Sequence, residues 1–290
     1  MSDLPVEKNT VRVYDCCDWG DFMSRVRLPE PALASTKAIY RGHAKPDWLL
    51  MSRLDWQLSL GVREEDGSSK LISHPRQLYK IDGYRKLCDN ILQRFRRYVR
   101  TIPNINPNAS DNELWMLGRH FGLLTPLLDW TESPYVAAFF AFADTYQQFE
   151  PRAVRTLPTW RSREKVRIWG LRQLETDLER ADEFEIVRDL PTTALRQKAQ
   201  SGVFTILWTE DHADLESYLK ARDIAHCLEY YDIPIANTLE ALTDLKLMNV
   251  TPAVLFPDLY GAAWQANIDT DEIGYQISSL ARARKLIESS

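Results

Sequence analysis

The segment from His120 to Phe142, HFGLLTPLLDWTESPYVAAFFAF, limits the folds open to this chain more than any other. Tyr135 to Ala143 is apolar throughout, so a helix there has no polar face and must be buried on every side. Just before it stand Asp129, Trp130, Thr131, Glu132 and Ser133 in unbroken succession. Ser133 suits an N-cap, and Pro134 suits the first helical position, where a missing N–H costs nothing. LLTPLLDWT reads as a short buried strand. A strand end followed at once by a helix N-terminus offers free N–H groups and the positive end of a helix dipole. The polar group is therefore either plain capping or the floor of a ligand site.

The rest of the chain supplies what such a helix can be buried against. VRVYDC reads as a lead-in strand or loop and DWGDFMSRVRL as a short helix, within residues 1–35. KAIYRGH alternates like a strand that ends at Gly42. VREEDGSSKLISHP is polar and turn-rich, an exposed loop. A long helix is expected from Arg76 to Thr101, with Leu78, Ile81, Leu87, Ile91, Phe95, Tyr98 and Ile102 as its apolar stripe. Arg76, Lys80, Arg85, Lys86, Arg94, Arg96, Arg97 and Arg100 are expected on its solvated or phosphate-binding face. Ser110 or Asp111 caps the next helix, DNELWMLGRHF, and Gly122 ends it. Further on, PRAVRTLPTWRSRE is a loop, KVRIWGLR a strand, and LETDLERADEFE an acidic helix or loop. SGVFTILW and AHCLEYYDIP are strands, and HADLESYLKAR and NTLEALTDLKLM are helices. TPAVLFPDLYGAAWQ turns into a last helix. Strands and helices alternate irregularly, so α+β in a single domain is expected rather than a doubly wound sheet.

Bulk properties narrow the function. With 44% hydrophobic and 27% charged residues among 290, the chain can build a substantial core. A net charge of -5 gives no general attraction to nucleic acid or anionic membrane, though a local basic patch is compatible with it. The longest apolar run is about half a bilayer span and no signal peptide is visible. Cys16, Cys17, Cys88 and Cys227 form no C-x-x-C or zinc spacing, so a reducing, cytoplasmic setting without a metal is expected. P-loop, G-x-G-x-x-G, G-x-S-x-G and H-E-x-x-H signatures are absent, and the five histidines make no metal motif.

What remains is a set of polar residues at strand ends. Arg41 needs either a carboxylate of the protein or an anionic ligand, and its planar fork suits a phosphate. Thr131 and Ser133 add hydroxyls to the N–H groups of the buried helix. Gln200 stands two residues before Gly202 at a strand entry, and is either a ligand-orienting amide or a solvated side chain. Asp258, in VLFPDLYG, reads as a helix cap. Trp48 and Trp56 are exposed aromatics available for partner contacts.

YRGH, GRHFGLLTPLLDWTESPYVAAFFAF, RQKAQSGVFT and VLFPDLYG, in that order, resemble the FRG domain family over about Ala38 to Gly261. Tyr40-Arg41-Gly42 stands where that family has the Phe-Arg-Gly triplet of its name. The resemblance implies a domain over 36–265, with a lead-in at 1–35 and a tail at 266–290. The motif order is also similar to that of ADP-ribosyltransferases of the arginine-serine-glutamate type. That likeness implies an ADP-ribosyltransferase-like split sheet flanked by helices, with NAD as substrate. Arg41 then clamps the pyrophosphate. Thr131, Ser133 and the helix N-terminus hold ribose or amide, and Tyr40, Gly42, His120, Asp129 and Trp130 line the pocket. Gln200 falls where those enzymes have glutamate, and it keeps a hydrogen bond but not the charge. Glu132, Asp129 or an acid within 210–232 then has to supply that charge. The implied acceptor is protein or nucleic acid, with Arg94, Arg96, Arg97 and Arg100 leaning toward nucleic acid, as in a bacterial toxin or phage-defence effector. The alternative is a non-catalytic module that binds a nucleotide or a partner. The two readings differ in whether a carboxylate faces Arg41 across a pocket.

Overall fold

KVRIWGLR places two kinds of apolar side chain on alternate positions, and a strand that is greasy on both faces belongs in the middle of a sheet. The computed structural model describes residues 9–27, 37–60, 62–63, 69–70, 76, 80–103, 105–106, 108–148, 164–172, 183–188 and 195–270. In it β6 (Lys165–Arg172) lies third in a seven-stranded sheet of order β1-β9-β6-β2-β5-β8-β7. The other strands are β1 (Arg12–Asp15), β2 (Ala38–His43), β5 (Leu128–Thr131), β7 (Phe184–Val187), β8 (Gly202–Leu207) and β9 (Leu228–Pro234). Only β1 and β9 run parallel; every other neighbouring pair is antiparallel. Val62–Arg63 and Ser69–Lys70 form a separate small ladder, β3 and β4, inside the segment expected to be an exposed loop.

One face of the sheet carries Tyr40, Val166, Ile168, Tyr231 and Ile233. It is covered by α5 (Pro134–Gln148), with α1 (Trp19–Arg27) beside it. The other face carries Ile39, Leu128, Trp130, Trp169, Leu171 and Val203, and packs on α7 (Leu215–Ala221). A third core joins α2 (Arg53–Ser59), α3 (Lys80–Val99) and α4 (Asp111–His120) to Val187, Phe204 and Ile206. Among the described residues, the remaining α-helices are α6 (Leu195–Ala199), α8 (Thr238–Leu247), α9 (Pro252–Leu255) and α10 over 259–270. The α+β class and the burial of α5 agree with the sequence. Ala137, Ala138, Ala141 and Phe142 are wholly inaccessible to solvent.

Four expectations need correction. Instead of a split sheet, one sheet forms, because β5 still touches β2 through a single residue pair, Tyr40 with Thr131. Phe184 and Glu185, the end of the segment expected as acidic helix or loop, open an edge strand, Phe184–Val187, that pairs with β8; residues 173–182 lie outside the described residues. The buried seam of α3 is Tyr84, Cys88, Leu92 and Val99, while Tyr98 and Ile102 are exposed, so the stripe is rotated from the one expected. Arg76 does not join the basic face at all. It is buried, with Nε and Nη2 on the two carboxylate oxygens of Asp55 at 2.8 and 2.7 Å and its guanidinium 4.3 Å from the Tyr84 ring centre. It also donates to the carbonyls of Leu207 and Thr209, so it fastens α2 to the end of β8. An arginine carried into a core must satisfy its donors there, and this one meets that requirement. Of the loop expected at 151–164 only Glu164 is described; of the tail expected at 266–290, residues 266–270 continue a helix and the rest lies outside the described residues.

Candidate functional site

Beyond the Tyr40–Thr131 pair, β2 and β5 part company. Arg41, Gly42 and His43 go on pairing with β6, at Trp169, Ile168 and Arg167, but no longer with β5. Opposite, β5 stays paired with β8, Asp129 to Phe204 and Trp130 to Val203. The parting opens a cavity of about 280 Å³, lined by Tyr40, Arg41, Gly42, Asp129, Trp130, Thr131, Ala137, Phe140, Gln200 and Phe256. Its volume lies near the lower end of ligand pockets, about 300–1,000 Å³, so it suits one ring and its sugar rather than a whole dinucleotide.

Gly42 is there because of α5. A Cβ on it would meet the Ala137 carbonyl oxygen at 1.9 Å and the Ala141 nitrogen at 2.8 Å. Strand and helix backbones touch at this point, and no other residue type permits that. This contact seats the N-terminal half of α5, and with it Phe140, on the cavity wall.

Arg41 donates from Nη1 to the Asp129 carbonyl at 2.8 Å and from Nε to His43 Nε2 at 3.0 Å. Its Nη1 lies 3.6 Å from the Asp129 carboxylate. Since Nε2 of His43 accepts, its proton belongs on Nδ1. Burial, and next the Arg41 charge, push its pKa down to about 2, so the ring is neutral. Asp129 is gripped from the other side by Arg119, whose Nε sits 3.1 and 3.2 Å from the two oxygens, with Nη2 closing the fork. Burial opposes the charged carboxylate, but the Arg119 charge and hydrogen bonds, with Arg41 behind them, hold its pKa below the usual carboxylate range. The carboxylate nearest Arg41 on this cavity is thus its neighbour on the wall, in ion-pair contact with it at 3.6 Å.

The DWTES turn is also locked from within. Thr131 Oγ1 donates to the Gln200 carbonyl at 2.6 Å and accepts from the Ser133 N–H at 3.1 Å. Glu132 N–H donates to the Ser201 carbonyl at 3.0 Å. Ser133 caps α5 by accepting from the Val136 N–H at 3.3 Å. Gln200 lies on the wall with its Nε2 on the Leu255 carbonyl at 3.0 Å. Ser201, next to it, takes a φ of 47°, a left-handed value that a serine adopts only under constraint.

Of the residues singled out from the sequence, Tyr40, Arg41, Gly42, Asp129, Trp130, Thr131 and Gln200 come together on one cavity. Trp130 is chiefly a core residue, its indole N–H on Thr205 Oγ1 at 3.0 Å. Ser133 and His120 are not among the lining residues. His120 packs edge-on against Phe121, and its pKa is lowered by burial and then by the nearby Arg196 charge. Asp258 caps α10 through the N–H groups of Tyr260 and Gly261, and is paired with Arg196. Of the other candidate acids, Glu132 is exposed and pairs with Arg188. Glu229 is sealed in the core by a bidentate pair with Arg172 and by the Tyr231 hydroxyl, in space left by Gly170. Asp232 pairs with Arg167. Arg119, Phe140 and Phe256 were missed. Phe256 anchors an aromatic rim, within 6.0 Å of Phe140 and 5.5 Å of both Tyr260 and Trp264 by ring centres. Among the described residues, no helix is long and apolar enough to cross a membrane.

In comparisons with known proteins, residues 36–150 match the family model described as FRG domain. The matched stretch holds β2, α4, β5 and α5, and ends before Gln200 and the turn that carries Phe256. No curated protein and no solved structure matches the chain.

Proposed function

Because this chain carries an FRG domain over residues 36–150, and because that domain's arginine and a carboxylate share one cavity, we propose that it acts on NAD as an ADP-ribosyltransferase. The observation that carries the reading is Arg41 and Asp129 side by side on a wall that also bears Tyr40, Phe140 and Phe256. Aromatic walls suit a flat nicotinamide ring and its ribose, and Arg41 at the edge suits the pyrophosphate. The fit is to one half of the dinucleotide, with the other half lying along the rim toward Phe256 and Tyr260. The parting of β2 from β5 plays the part that a split sheet plays in the enzymes whose motif order this chain resembles.

The chemistry asked of the site is dissociative. The bond between the nicotinamide nitrogen and C1′ of its ribose breaks, and the electron pair leaves with nicotinamide. Positive charge builds on the ribose, and a nucleophile of a protein or nucleic-acid acceptor closes on C1′ as it gives up its proton. A preorganised anion near C1′ lowers that barrier. Gln200 is neutral, but Asp129 is ionised at neutral pH and sits on the wall. When Arg41 turns to a phosphate, Asp129 keeps Arg119 as its remaining partner and faces the ribose. A role as a toxin or phage-defence effector is proposed with it by analogy alone. One observation favours the second reading, a non-catalytic nucleotide- or partner-binding module: the Thr131 hydroxyl and the Gln200 amide nitrogen are already engaged within the protein.

The test is NAD titration by calorimetry followed by assay of free nicotinamide on the same samples. Binding that Arg41→Ala abolishes, with nicotinamide release that Asp129→Asn abolishes, supports the transferase. Binding without release, even with cell extract as acceptor, leaves the binding module. If neither wild type nor variant binds NAD, both nucleotide readings fall.

A further inference from the structure

The charge of α3 is lopsided along its length. Its acids, Asp82 and Asp89, both stand in the first half, and from residue 90 onward the helix has none. On a wheel of 100° per residue, Lys86, Gln93, Arg97 and Arg100 fall within about 60° of one another, with Asn90 and Arg94 to one side; Asp82 and Asp89 border the same face on the other side near Lys86, so its excess of cations lies toward the C-terminal end. All six of these basic and amide residues are exposed. Lys86 to Val99 covers about 20 Å of helix axis, with Arg100 on the turn just beyond it, enough to follow several phosphates of an extended strand. Arg96, expected in the same patch, is drawn away: it donates to the Ala109 carbonyl at 2.8 Å and pairs with Asp111 on α4. Among the described residues, no carboxylate lies within ion-pair distance of Lys86, Arg94, Arg97 or Arg100.

Tyr98 sits one turn beyond Arg94 on the edge of this face and is 69% exposed. A tyrosine at a helical spacing that suits the core, yet left in solvent beside a row of cations, offers a flat surface for a base. The chain as a whole carries -5, so attraction for a polyanion has to come from a local patch rather than the overall field.

We propose that this face of α3 binds a single-stranded nucleic acid, with Lys86, Arg94, Arg97 and Arg100 on its phosphates, Asn90 and Gln93 between them, and Tyr98 stacked on a base. The proposal does not rest on the pocket reading, because binding is measured without NAD.

The experiment is fluorescence anisotropy with labelled 20-nucleotide DNA and RNA strands, from 50 to 300 mM KCl. Wild type is expected to bind both, with log K falling linearly against log salt. R94E/R97E/R100E should bind at least tenfold more weakly, with a slope shallower by about 0.7 for each phosphate that is no longer neutralised. Tyr98→Ser should weaken binding about fivefold and leave the slope unchanged. K220E, a charge reversal on α7, should bind as wild type does, and circular dichroism melting should show the triple variant folded. The proposal is overturned by no binding at 50 mM KCl, by equal binding in the triple variant, or by polyglutamate competing as well as DNA of equal charge. NAD calorimetry on the triple variant separates the two sites, since a pocket that fails leaves this surface standing and the converse also holds.

Discussion

Arg76 and Arg41 are both arginines with an aspartate in reach, and they sit in opposite circumstances. Arg76 meets Asp55 through two hydrogen bonds, lies against Tyr84, and gives its other N–H groups to the carbonyls of Leu207 and Thr209. Both side chains of that pair are out of solvent, at 2% and 0% exposure. Arg41 approaches Asp129 at 3.6 Å, shares it with Arg119, and keeps 24% of its side chain exposed on a cavity. The same two chemical groups make a buried fastener in one place and a looser, partly exposed contact in the other. The difference lies in burial, since one guanidinium is sealed in the core and the other keeps part of its side chain open to the cavity.

The sharpest way to break this contrast is Arg76→Met. It strands the Asp55 carboxylate in the core and should cost about 3–5 kcal/mol in urea unfolding, whereas D55L/R76M should recover most of that stability. A cost under about 1 kcal/mol for the single variant would mean that the pair is not the fastener described. Arg41→Ala comes next and separates binding from stability. NAD affinity should fall at least tenfold, while unfolding free energy changes by no more than about 1 kcal/mol, since the Asp129 carboxylate is partly in water.

Acid titration probes the polar network around Arg41 through its neighbour. The folded-state pKa of His43 lies at about 2, below the ordinary 6.5. Between those values the unfolded chain binds a proton that the folded one refuses. Stability is therefore lost as pH falls below 6.5, with a slope of up to about 1.4 kcal/mol per pH unit. His43→Gln should flatten that slope, which denaturant melts at pH 7, 6 and 5 would show. Asp129 adds a loss of its own at lower pH. Its folded pKa is depressed, so its contribution is present above the unfolded carboxylate value and fades as pH drops through the folded one. The smallest effect expected is from Glu132→Gln. Its pairing with Arg188 is exposed, so stability should stay within about 0.5 kcal/mol, and nicotinamide release should be unchanged.

Much of the framework was legible because it rests on local pattern. The apolar run in α5, the Ser110 and Ser133 caps, Gly122 in its left-handed turn at φ 88° and the alternation of KAIYRGH in β2 each announce themselves within a few residues. What escaped depends on partners distant in sequence. Arg76 looks like one more surface cation until Asp55 arrives from α2. His120 drew attention as a titratable ring, yet Arg119 holds Asp129; neighbours on a helix point about 100° apart, and spacing alone does not say which faces a strand. Phe184–Val187 is short and flanked by acids, so only its pairing to β8 reveals it as an edge strand. Gly42 was noticed as a strand terminus, but the reason for a glycine there is the backbone of α5.

That meeting of strand and helix has a wider consequence. With the Ala137 carbonyl seated where a side chain would begin on Gly42, β2 and α5 form one rigid plate beneath the cavity. Such a plate cannot slide to suit a larger or smaller guest without unseating the buried helix. Relatives that keep this glycine and its facing alanines would inherit the same floor, and would be free to diverge only along the rim. Changes of ligand preference should therefore collect near Gln200 and Phe256, beyond the stretch that the family match covers.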